Sequence, residues 1–161
     1  VVGFMVGRDS EHAGIIRCGA KLVNAMANSV VPKITMVIGG SYGAGNYAMC
    51  GKAYDPRFLF AWPNAKYAVM GADQASGTLF DIIKKSAERH GKEFDIEELN
   101  ALRERVRNDY LEHADVRYGA ARGWIDAIVA PHTTREVLIT TLRLASGKMP
   151  QARYHTGVLQ T

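Results

Sequence analysis

Nine consecutive residues, Gly39-Gly40-Ser41-Tyr42-Gly43-Ala44-Gly45-Asn46-Tyr47, concentrate the chemistry that this chain offers. Five of the chain's 16 glycines fall between Gly39 and Gly51, directly after the β-branched, apolar run Lys33 to Ile38 and before the small residues Ala48-Met49-Cys50. A strand that feeds a glycine turn and then a helix start aims several backbone N–H groups, with the positive end of a helix dipole, at one point. Such a point suits an anion or a developing oxyanion.

Three motifs compete for these letters. Gly43-Ala44-Gly45-Asn46-Tyr47-Ala48 satisfies the dinucleotide fingerprint G-x-G-x-x-A, but that fingerprint needs an acidic residue about 20 positions on. Pro56 to Ala72 contains no Asp or Glu. A phosphate-binding Walker loop at Gly51-Lys52 lacks glycine at Asn46 and a hydroxyl at Ala53. Gly39-Gly40-Ser41-Tyr42-Gly43 matches the nucleophile elbow G-x-S-x-G, with Asp126 and then His132 or His155 in the order a serine hydrolase requires. A fourth reading gives the glycines only a packing role between helix and strand.

The elements that must position this turn alternate between strand and helix. Val1 to Val6 reads as a buried strand with no initiator Met, basic segment or cleavage site before it, and so as the start of a fragment whose sheet is incomplete at that edge. Gly7 to Ser10 reads as a loop. Ile16, Ala20, Val23 and Ala27 make a helical stripe across roughly 13–28. Pro32 stops the helix and Lys33 to Ile38 follows as an interior strand. Arg57 to Trp62 and Lys66 to Met70 read as paired strands around Pro63-Asn64, and a helix follows over about 73–89. Asp95 and Glu98 have capping-box spacing ahead of the stripe Ile96, Leu99, Leu102, Val106 and Tyr110, which is assigned to subunit or domain packing. Gly119 and Gly123 are expected to break that helix, with a strand at Trp124 to Val129. Pro131, then Thr133 with Glu136, open a last helix that Gly147 closes.

Composition narrows the function. The chain has 161 residues, 47% hydrophobic, with 20 Lys plus Arg against 16 Asp plus Glu, enough for one domain with a core. The net charge of +4 is modest, and 84–122 holds nine basic and nine acidic residues, so nucleic acid is a poor default partner. Apolar runs fall far short of the roughly 20 residues of a membrane span. Cys18 and Cys50 form no C-x-x-C, and the five histidines show no i, i+4 pair. Metal binding and disulfides are therefore not expected, a reducing compartment fits, and both thiols read as inert and buried.

A wider set of blocks carries a resemblance. Gly3-Phe4-Met5-Val6-Gly7, Gly14-Ile15-Ile16, Gly19-Ala20-Lys21, Val31-Pro32-Lys33, the nine-residue turn, Ala61-Trp62-Pro63-Asn64-Ala65 and Val69-Met70-Gly71 resemble the carboxyl-terminal half of the carboxyltransferase (beta) subunit of biotin-dependent acyl-CoA carboxylases. The similarity is dense to about Gly77 and thinner through Gly123-Trp124-Ile125-Asp126 to the tail. The turn is more similar to the 3-methylcrotonyl-CoA and geranyl-CoA branch than to the propionyl-CoA branch, which has Asp where this chain has Tyr47. No acid role transfers to that position. Ser76-Gly77 also stands where the family tends to have alanines.

The resemblance implies an α/β, crotonase-like spiral of strand-strand-helix repeats. Residues 1–161 would be the C-terminal part of a carboxyltransferase C-domain without its N-domain. The implied reaction moves CO2 from carboxybiotin to an acyl-CoA of the 3-methylcrotonyl kind: carboxybiotin releases CO2, its ureido enolate takes a proton from the acyl-CoA, and the carbanion captures the CO2. Biotin arrives on a separate carrier protein or domain, and the site forms against the N-terminal half of another subunit. The implied partners are therefore a biotin carboxylase and biotin carrier, in a homo-oligomer that is cytoplasmic in a bacterium or in the mitochondrial matrix of a eukaryote. Backbone N–H groups of Ala44 and Gly45 are the expected oxyanion hole for biotin. Phe4, Val6, Gly7, Tyr42, Gly43 and Trp62 are the expected biotin-binding residues, and the fragment alone is expected to be inactive. A branched side chain at Gly45 is expected to exclude biotin and leave acyl-CoA binding largely intact.

Overall fold

A computed structural model describes residues 1–90 and 95–147. Two strand-strand-helix turns form its centre. In the first, β1 (Ile34–Val37) passes through Ile38-Gly39 into β2 (Gly40–Tyr42), and α3 (Gly43–Ala48) follows at once. In the second, β3 (Phe58–Ala61) leads to β4 (Lys66–Ala68) and then to α4 (Ala72–Arg89). First strands pair with first strands and second with second: β1 lies parallel to β3 with Ile34 opposite Phe58, and β2 lies parallel to β4 with Ser41 opposite Tyr67. The short β5 (Ala127–Ile128) completes the sheet order β1-β3-β5. Parallel strands need a crossover between them, and here each crossover contains a strand of the other sheet. This is the α/β spiral expected of a crotonase-like chain.

Helices surround these turns. α1 (Arg8–His12) and α2 (Ile15–Asn28) precede them, separated by Gly14 at φ +87°. After α4 come α5 (Ile96–Ala114), α6 (Val116–Ala120) and, past a 3-10 turn at Pro131–Thr133, α7 (Thr134–Ala145). Val37, Leu59, Ala61, Ala65, Val116 and Ile125 make one buried cluster, with Tyr67 and Ala120 packed on it. That cluster joins β1, β3 and α6 from three distant stretches. At about 1.5–3 kcal/mol for each large apolar side chain, it is a main source of stability.

Several expectations are corrected. The opening residues form no strand: only Val1 runs beside β2, donating from its nitrogen to Gly40 O at 2.8 Å and accepting from Tyr42 N at 2.9 Å. Gly3 at φ +83° then turns the backbone out of pleated geometry. Arg8 to His12 is helix, not loop. β1 is an edge strand among the described residues and β3 is the central one. The helix after Asp95 ends at Asp115, not Gly119. Asp115 is extended and caps the next helix with its own carboxylate, so Gly119 lies inside α6. Asp95 caps α5 through Glu97 N, and Thr133 makes no cap because its hydroxyl donates to Ala130 O. On the stripe of α2, Ile16 and Ala20 are exposed, as is Cys18. α2 buries only Gly19.

Candidate active site

The turn between β2 and α3 is held by short-range contacts. Gly43 has φ +59°, and a Cβ there would lie 3.3 Å from Val69 O. The left-handed backbone and the neighbouring strand thus both favour glycine. Ser41 is buried within β2, and its Oγ accepts from Asn46 Nδ2 at 2.8 Å. A side chain at Gly51 would collide with Asn46 Oδ1, and Gly51 N donates to Asn46 O at 2.8 Å. Asn46 is therefore clamped between the strand and the end of its own helix. The first-turn N–H groups of α3, those of Ala44 and Gly45 included, have no intrahelical acceptor, and among the described residues no side chain caps them.

Gly43 and Ala44 open onto a cavity of about 770 Å³. Val37 and Leu59 reach it from the core, Tyr47 from α3, and Tyr67, Ala68 and Val69 from β4. The opposite wall comes from Tyr110 and His113 of α5, Tyr118 of α6 and Trp124. Its rings touch in sequence: Tyr67 meets Trp124 edge-on at 6.5 Å, Trp124 meets Tyr118 at 6.1 Å, and Tyr118 meets His113 at 4.6 Å between centroids. Arg122 stacks over Tyr118 at 3.3 Å. The Tyr67 hydroxyl is buried with no hydrogen-bond partner among the described residues. Its burial pushes the phenol pKa up, against a smaller opposing pull from Arg122. The cavity is mostly apolar, with uncapped backbone donors at one side.

The expected site residues divide sharply. Gly43 and Ala44 line the cavity, whereas Gly45 is buried beneath the opening segment. A Cβ on Gly45 would meet Val1 Cγ1 at 2.5 Å and Gly3 Cα at 3.0 Å. A side chain there enters the chain's own packing and not ligand space, which removes the steric argument for selective exclusion of biotin. Tyr42 precedes α3 and donates its N–H to Val1 O. Phe4 lies against α2, where a Cβ on Gly19 would be 2.7 Å from its ring. Val6 is exposed and Gly7, at φ +114°, leads into α1. Trp62 donates from Nε1 to Thr134 Oγ1 at 2.9 Å and so ties β3 to α7. Tyr42, Phe4, Val6, Gly7 and Trp62 are not among the residues lining the cavity.

Sequence reasoning missed the aromatic wall. Tyr67, Tyr118 and Trp124 carry no common spacing, and Tyr110 reads as part of a packing stripe. Only the fold of β4, α5 and α6 brings them together. The hydrolase elements are placed elsewhere or otherwise engaged. Ser41 lacks the strained backbone of an elbow, since Cys50 and Asp55 are the non-glycine residues with positive φ among those described. Asp126 Oδ2 accepts from Leu59 N at 2.7 Å, His132 lies exposed in the 3-10 turn, and His155 is outside the described residues.

Comparison with known proteins agrees with this architecture. The family model described as the carboxyl transferase domain matches residues 1–156. The mitochondrial methylcrotonoyl-CoA carboxylase beta chain of Dictyostelium discoideum is 45% identical over 142 residues, covering 88% of this chain and 24% of that protein. The crystal structure of the beta subunit of Pseudomonas aeruginosa geranyl-CoA carboxylase superposes with a TM-score of 0.82 at 41% identity, over 98% of this chain and 30% of that one. Transcarboxylase 12S, a hexamer crystallised with hydrolysed methylmalonyl-coenzyme A, superposes with a TM-score of 0.76 at 33% identity, over 100% of this chain and 29% of that one. The chain spans about a quarter of the length of the curated relatives it matches. A match of the family model over residues 1–156 means that this chain belongs to the carboxyl transferase domain family.

Proposed function

We propose that the chain forms part of a carboxyltransferase that moves CO2 from carboxybiotin to an acyl-CoA of the 3-methylcrotonyl or geranyl class. One observation carries this reading: small residues Gly43 and Ala44, with uncapped N–H groups in the first turn of α3, open onto a cavity of about 770 Å³. That space accommodates a bicyclic ureido ring, and the absence of large side chains beside Ala44 suits close approach of a ligand to the backbone. Carrier-borne biotin supplies the carboxyl group and the base that takes a proton from the thioester.

The chain's own residues supply binding and electrostatics. The N–H groups of Ala44, which lines the cavity, and of Gly45, whose Cα side packs under Val1 and Gly3 while its N–H belongs to the same uncapped first turn, donate to an oxygen that gains negative charge during transfer. One such donor is typically worth about 2.7–4 kcal/mol in the transition state. The Asn46 clamp and the Gly43 backbone hold those donors in place before reaction. The aromatic wall excludes water, which strengthens each hydrogen bond to a developing charge. A biotin carrier and the N-terminal half of a neighbouring subunit complete the proposed site, in a homo-oligomer.

Ala44→Pro in the assembled carboxylase tests this directly. Proline removes one N–H yet is tolerated in the first turn of a helix, so the protein stays folded while transfer to acyl-CoA falls about 10²–10³-fold. A folded Ala44→Pro enzyme with an undiminished rate would falsify the backbone-donor reading.

A further inference from the structure

Tyr67 and Gly119 fit together as projection and notch. Tyr67 belongs to β4 and Gly119 to α6, 52 positions later, yet a Cβ placed on Gly119 would coincide with the Tyr67 hydroxyl and press on Cζ and Cε1 of the ring. Gly119 is buried and has no left-handed φ, so its lack of a side chain is explained by this contact and not by backbone geometry. The ring packs against the buried cluster that contains Val116, Ala61 and Ala65, and it lines the cavity together with Val37 and Leu59 of the same cluster. A ring pushed out of the notch moves into the cavity more easily than into the filled core, because filled cores resist displacement.

The geometry points to the pair Tyr67–Gly119 as the element that sets the depth of this cavity, and hence the length of the apolar acyl group that it accepts. The inference rests on the carboxyltransferase reading above. Carbon–carbon bond formation requires the acceptor carbon to approach the carboxyl donor to about 3–3.5 Å. The hydrocarbon of the thioester must then enter the space in which Ala44 faces biotin. The wall available to that hydrocarbon is the apolar one made by Tyr67, Tyr110 and Trp124. With the ring seated in the notch the cavity is deep and suits a branched or extended acyl chain; with the ring displaced it is shallow.

The test measures kcat/KM of the assembled enzyme for propionyl-CoA, 3-methylcrotonyl-CoA and geranyl-CoA. Gly119→Ala should lower the ratio of geranyl-CoA to propionyl-CoA about tenfold or more, the scale on which a methyl-sized change in an apolar pocket discriminates. Adding Tyr67→Leu to Gly119→Ala should restore the ratio by removing the obstructing ring. Tyr67→Leu alone deepens the cavity and should raise the ratio, which keeps the inference open to refutation if Gly119→Ala does not fold. A uniform loss across the three thioesters in folded Gly119→Ala, or no change of ratio in Tyr67→Leu, overturns the depth assignment and leaves the carboxyltransferase reading standing. A wild-type enzyme, assembled and biotinylated, that carboxylates none of the three overturns both.

Discussion

At the residue scale, Ser41 separates two chemistries written in the same letters. Its hydroxyl accepts from Asn46 in a buried strand, a structural task that alanine disturbs only locally. Ser41→Ala should therefore retain most carboxyl transfer, while a nucleophilic serine would lose orders of magnitude. A fluorophosphonate probe gives the same answer by mass spectrometry, and specific labelling of Ser41 would sink the transferase mechanism. Gly45 behaves differently from what its position in the motif implies. Valine there displaces Val1 and Gly3, so Gly45→Val should destabilise the fold by about 1–3 kcal/mol and lose transfer with it. Thermal melting checks this; an unchanged melting temperature with selective loss of biotin-dependent turnover would restore the simpler steric picture.

At the element scale, the junction between α5 and α6 depends on one carboxylate. Asp115 ends one helix and caps the next, accepting from Arg117 N at 2.8 Å while pairing with the Arg117 guanidinium at 2.8 Å. Hydrogen bonds from that side chain, and then from the backbone N–H, lower its pKa from 3.8 to about 2. A folded-state pKa below the unfolded value stabilises the protein above the ordinary carboxylate range, and the contribution is lost as pH falls from about 4 toward 2. The pair is partly solvated, so the cap itself, at about 1 kcal/mol, sets the size of the effect. Carbon-detected titration of the Asp115 carboxyl should give a midpoint near 2, and Arg117→Ala should move it upward. A midpoint that stays put in Arg117→Ala would show that the arginine is not its cause. The consequence reaches the cavity, because α6 carries both Tyr118 and Gly119.

At the scale of the whole molecule, a small buried cluster coexists with much exposed apolar surface. Val2, Met5 and Val6 of the opening segment, Ile16 and Leu22 of α2, and Val30 and Val31 beyond it are all exposed, a concentration of large apolar side chains within the first 31 residues. Within the proposed assembly these residues should be covered. Backbone hydrogen exchange across 1–6 and 15–28 should accordingly slow in the assembled carboxylase relative to the chain alone. Equal exchange rates in the two would place the subunit contacts on another face.

Local patterning alone was enough for a strand at Lys33 to Ile38 running into a glycine turn and a short helix, for helices over about 13–28 and 73–89, and for the start of a helix at Asp95. Each depends on interactions within a few residues: side-chain periodicity, proline's missing donor, and glycine's freedom at positive φ. Those blocks of residues also carried the family. Contacts distant in the chain decided the rest. Val1 to Val6 has the composition of a strand, but strand pairing needs a partner in register, and only Val1 finds one on β2. Phe4 and Trp62 read equally as ligand walls or packing aromatics until Gly19 and Thr134 are seen beside them. Asp126 has the order of a triad member but serves as an acceptor for β3. The aromatic wall and the notch at Gly119 leave no periodic trace, because Tyr67, Tyr118, Gly119 and Trp124 become neighbours only when β4 and α6 close on one core. The glycine turn and the elements beside it were thus legible in local sequence, whereas the shape of the cavity they face is set by packing between segments tens of residues apart.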